Sequence, residues 1–124
     1  MEREVKMAAK LYEMRDTAKR LLGDKYTGHM AMNGKILQDT ATRDKTTPLA
    51  VAIAVCKKPG ITAMETIFIM SAAVELAEPS NAMKTAQALQ YNVGNSVVLT
   101  PKNLAKSHAQ LTSSYHKNSE KDRR

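Results

Sequence analysis

The segment GHMAMNGK, Gly28 to Lys35, sets two glycines ahead of a lysine, the residue types that can cradle and neutralise a phosphate. The spacing does not serve that chemistry. One residue too many separates the glycines, and Ile36 stands where a Ser or Thr would have to reach magnesium. No strand pattern precedes the segment, so its amides have no frame. The glycines read instead as helix breaks or as points of close helix contact.

Nucleophilic catalysis needs an activated Ser or Cys beside a base. Ser107 and His108 are sequence neighbours, and on a helix neighbours point about 100° apart, so they are not a dyad. Cys56 ends the apolar run PLAVAIAVC, where a buried, inert thiol is expected. The histidines His29, His108 and His116 form no i, i+3 or i, i+4 pair, and Cys56 has no second cysteine. Neither a metal nor another cofactor is implied. Glu65, Glu75 and Glu78 share one acidic segment, but Glu65 is accounted for by a helix cap. Enzymatic activity is not expected.

Charge carries more information. The net charge of the 124-residue chain is +7, which favours a polyanionic partner. Residues 1–25 hold seven Lys/Arg against five acids, and residues 26–58 hold five against two. Residues 59–80 hold three acids and no Lys or Arg, whereas 81–124 hold seven Lys/Arg against two acids. The middle of the chain is locally acidic, and the basic excess lies in its flanks.

Elements must position these charges. A first helix is predicted over Glu2–Leu22, because Met7, Leu11, Met14, Ala18 and Leu21 recur at alternating spacings of four and three. That seam can pack inside the monomer or against a second copy. Gly23 is its natural stop. Asp24 can cap a second helix bearing Tyr26, Met30 and Leu37 on one face. Gly28 and Gly34 predict that this helix is short or broken, followed by the polar loop DTATRDKTT.

Leu49, Val51, Ile53 and Val55 alternate as in a strand, and SVVL, Ser96 to Leu99, is the one available partner. Thr47 followed by Pro48 marks a helix start instead, and the alanines favour the helix reading. Thr62 and Glu65 fit a capping box, and Pro79 marks a stop, giving a helix over about 63–78. Ser80 can cap a short helix to Gln90 or Tyr91, ended by Gly94. Thr100 and Pro101 repeat the cap signature and open a last helix to about Tyr115.

The two helices around Gly60 pose the question of a DNA-reading helix-turn-helix. A recognition helix offers Arg, Lys, Asn or Gln to base edges. Met64 to Ala77 offers none, and Ser71, Glu75 and Glu78 form a strip that a phosphate backbone would repel. This helix belongs in the core.

The chain therefore reads as all-α, one domain over 1–115, a compact bundle of five or six helices around a buried helix at about 63–78. One short strand pair is the alternative detail. A basic tail, 116–124, is expected to be disordered. The apolar runs are too short to span a bilayer, and MEREVKMAAKLYEMRD carries charge where a signal peptide is apolar. A cytoplasmic, reducing location follows.

The function expected is that of a small, basic, non-enzymatic accessory or regulatory protein. It binds nucleic acid through backbone phosphates, as a homo-oligomer. Lys6, Lys10, Arg20, Lys102, Lys106, Arg123 and Arg124 are the phosphate contacts, with Asn103 and Gln110 in reach from the last helix. Met7, Leu11, Met14, Ala18 and Leu21 form the oligomer seam. Aromatic residues are 4% of the chain and Trp is absent, which argues against base stacking on single strands. The alternative is an adaptor or inhibitor with an acidic protein partner, its eight methionines giving an adaptable contact surface. An enzyme or small-ligand binder with a pocket between subunits stands third.

Overall fold

A computed structural model describes the backbone of residues 2–93 and 99–122, and the side chains of residues 10–93 and 99–111. Among the described residues its regular structure is all helical, with six α-helices, one 3-10 turn and no strand. In chain order they are α1 (Glu2–Leu22), α2 (Lys25–Arg43), α3 (Pro48–Cys56), α4 (Ala63–Leu76), α5 (Ala82–Val93) and α6 (Pro101–Asp122). None is long and apolar enough to cross a membrane among the described residues.

The bundle is organised around α4, which packs against each of the other five helices. Every residue from Thr66 to Val74 is buried, so the helix has no solvent face through its middle. This is why its pattern is almost continuously apolar rather than amphipathic. Ser71, expected on a polar surface strip, turns inward beside the Tyr26 phenol. Burial raises the phenol's pKa above its ordinary value, with the Ser71 side chain opposing that shift. Of the strip, Glu75 is exposed near the end of α4 and Glu78 is exposed just beyond it.

The cap chemistry works where the sequence marks it. The Thr47 hydroxyl accepts the Ala50 amide at 3.2 Å, with Pro48 in the first helical position. Residues 49–55 are therefore helix, with Val51, Ala52 and Cys56 buried. The Thr62 hydroxyl accepts the Glu65 amide at 3.1 Å and donates to the Glu65 carboxylate at 2.9 Å. Thr100 accepts the Asn103 amide at 3.1 Å. Gly23 takes φ +58° directly after α1 and donates its amide to the Lys19 carbonyl at 2.8 Å.

The second helix corrects the sequence reading. α2 runs unbroken for 19 residues, through both glycines and most of the expected loop. Two interior glycines cost about 1 kcal/mol each relative to alanine. Burying Tyr26, Leu37 and Ala41 against neighbouring helices outweighs that cost. Nor are the glycines close-contact points, since a Cβ at Gly28 or Gly34 would meet no atom within 4 Å. Asp24 makes no side-chain cap and has helical backbone angles.

Smaller shifts occur elsewhere. α4 ends at Leu76, and a 3-10 turn over Pro79–Asn81 containing Ser80 leads into α5. α6 extends to Asp122, beyond the expected end near Tyr115. Gly94 and Ser96–Val98 lie outside the described residues, while Leu99 is buried.

Candidate nucleic-acid interface

The apolar face of α6 fixes where its basic residues stand. Leu104 is fully buried and Leu111 packs partly against the core, so Lys102 and Lys106 are turned to solvent. Four residues apart, they share one face of the helix.

Ser107 locks this arrangement to the centre of the bundle. Its hydroxyl accepts the buried Met64 amide at 3.1 Å, and it lies 2.8 Å from the Asn103 carbonyl and 3.2 Å from that of Leu104 for donation. Met64 is in the first turn of α4, where amides lack partners within the helix. Thr62 serves one such amide from the same chain segment; Ser107 serves another from α6. Around this contact, Ile61, Thr62, Ala63, Asn103, Lys106, Ser107 and Gln110 line a shallow depression. The positive end of the α4 dipole, the Lys106 ammonium and two side-chain amides thus meet at one pole of the molecule, where the exposed Glu65 carboxylate, held by the Thr62 hydroxyl at 2.9 Å, offsets part of that positive potential.

The remaining expected contacts are dispersed. Lys10 and Arg20 are exposed on α1, about 15 Å apart along the helix axis. Arg20 donates to the Thr17 hydroxyl at 3.2 Å. Two further α1 cations lie over aromatic rings, Arg15 over Tyr12 at 4.8 Å and Lys19 over Tyr26 at 5.6 Å. The side chain of Lys6 and the residues Arg123 and Arg124 lie outside the described set.

The seam of α1 is used within the chain. Leu11, Met14 and Ala18 are 1%, 3% and 0% exposed in the chain's own core, and Leu21 packs partly against it. Leu11, Met14 and Ala18 are therefore committed to the chain's own core, Leu21 is half-buried, and the side chain of Met7 lies outside the described set. Among the described residues, the exposed large apolar side chains are Met32 and Ile36 on α2 and Met83 and Tyr91 on α5.

The other candidate chemistries find structural roles. Gly28, Gly34 and Lys35 lie inside α2, where the intervening amides are committed to helix bonds and cannot cradle a phosphate. Cys56 is fully buried, and burial pushes its thiol up to about 12, so it stays protonated and unreactive at neutral pH. The Ser107 hydroxyl is occupied by backbone groups. His29 stacks on Phe68, with ring centroids 4.7 Å apart and planes 3° from parallel. Burial and then the Lys25 charge hold its pKa below the ordinary value. No group of three or more His, Cys, Asp or Glu that could hold a metal occurs among the described residues.

A second concavity lies between α2 and α4, with Met30, Ala31, Gly34, Ala72 and Leu76 as its apolar lining and Lys35 and Glu75 among its polar members. No known family model matches the chain, and no curated protein or solved structure matches it either.

Proposed function

We propose that this protein is a small, non-enzymatic accessory or regulatory protein that binds nucleic acid through its phosphate backbone. The observation carrying this reading is the pole at which α6 meets the start of α4. There, Lys106, Asn103 and Gln110 line one depression with Thr62 and Ala63, and exposed Lys102 lies one turn away. Phosphate contacts of this kind supply salt-dependent affinity with little sequence preference. The lone cysteine, fully buried, fits a reducing compartment.

The test is charge reversal on a rigid surface. Wild-type protein is expected to retard a mixed-sequence DNA duplex at low salt, and Lys102→Glu with Lys106→Glu to abolish most of that retardation while leaving the helical circular dichroism unchanged. Absence of wild-type retardation at low salt would contradict the reading.

Contact with a protein, a second copy or an acidic partner, is the second reading. It draws on the α2–α4 groove and on exposed Met32 and Ile36. Gly34 keeps that groove free of a Cβ at a helix position where alanine would be more stable.

A further inference from the structure

The connection from α3 to α4 carries two lysines in KKPG, which reads in sequence as a basic last turn and a stop. Lys57 and Lys58 are exposed, and no acid occurs between Asp44 and Glu65. The Lys58 carbonyl accepts the Ile61 amide at 3.4 Å, and Gly60 has φ +83°. Pro59 then Gly60 at the two central positions is the signature of a type II turn, which holds its first and last Cα within about 7 Å. Its last residue, Ile61, lines the same depression as Lys106. The turn between α3 and α4 and the exposed face of α6 thus converge on one pole.

We infer that Lys57 and Lys58 are a second set of phosphate contacts at this pole, engaging the same nucleic-acid backbone as Lys102 and Lys106. The inference rests on the nucleic-acid reading above. A competing role exists, because cations at the end of α3 also complement its helix dipole. That role concerns stability alone and releases no counterions on binding.

Salt dependence separates the two roles. Each phosphate neutralised contributes about −0.9 to the slope of log Kobs against log salt on duplex DNA. Lys57→Ala with Lys58→Ala, made in the full chain, is expected to flatten that slope by about two. The pair Lys102→Ala with Lys106→Ala should flatten it by a similar amount, and the quadruple variant by both. Lys57→Arg with Lys58→Arg should retain the wild-type slope. If the 57/58 alanine pair keeps the wild-type slope while the 102/106 pair loses it, the inference is overturned and the nucleic-acid reading stands. If wild-type protein does not bind the duplex even at low salt, both fall.

Discussion

The Ser107 hydroxyl accepts the amide of Met64 at 3.1 Å, joining residues 43 positions apart in the sequence. This contact caps the buried helix α4 from the side and, together with the buried Leu104, holds the face of α6 that turns Lys102 and Lys106 to solvent. Removing the hydroxyl would leave a buried amide without its acceptor. Ser107→Ala is expected to destabilise the fold by about 1–3 kcal/mol, read as a lower midpoint in urea with an unchanged slope.

Leu11 faces the chain's own core rather than a second copy. A glutamate there would be a buried, unpaired charge, with a cost of more than about 4 kcal/mol against a total stability of about 5–15 kcal/mol. Leu11→Glu is therefore expected to unfold the protein, seen as lost helical circular dichroism. A folded, soluble monomer obtained from an oligomeric parent would contradict this assignment.

Gly28 has helical surroundings and open space where a Cβ would stand. Gly28→Ala should raise stability by about 0.5–1 kcal/mol, as should Gly34→Ala. Chemical denaturation of the two single variants and of the double variant measures this, with roughly additive gains expected. A loss of stability at either position would reveal a backbone requirement for glycine.

His29 links the fold to pH. Its folded pKa is depressed below the ordinary 6.5, so the folded state favours the neutral ring and the unfolded chain takes up the proton more readily. Its contribution is present above the unfolded pKa and is lost as pH falls through the folded one. The thermal midpoint should therefore drop between about pH 7.5 and about pH 5, and His29→Gln should reduce the size of that drop. An identical drop in wild type and variant would assign the effect to other groups.

Much of the architecture is written in local chemistry. Thr47-Pro48, Thr62 with Glu65, Thr100-Pro101 and Gly23 each state a helix boundary within a few residues, because caps and stops are short-range interactions. The burial of α4 is equally local, since its apolar residues leave no room for a wide polar face. What escapes local reading is decided across the fold. Gly28 and Gly34 argue for a break, yet the packing of Tyr26, Leu37 and Ala41 holds α2 together. Ser71 reads as surface until Tyr26 is brought beside it. In the candidate interface, Lys102 and Lys106 are visible as an i, i+4 pair, along with Asn103 and Gln110. The role of Ser107 leaves no local pattern, and the approach of Lys58 to this pole requires the turn at Gly60.

The most direct test of the interface is a titration of 15N-labelled protein with a short mixed-sequence DNA duplex, followed through the backbone amides. The largest shifts are expected on residues 57–65 (where amides exist) and 102–110, the Met64 amide held by Ser107 among them. Shifts concentrated instead on the α2–α4 groove, from Met30 to Gln38 and Ala72 to Leu76, or no shifts at low salt, would contradict it.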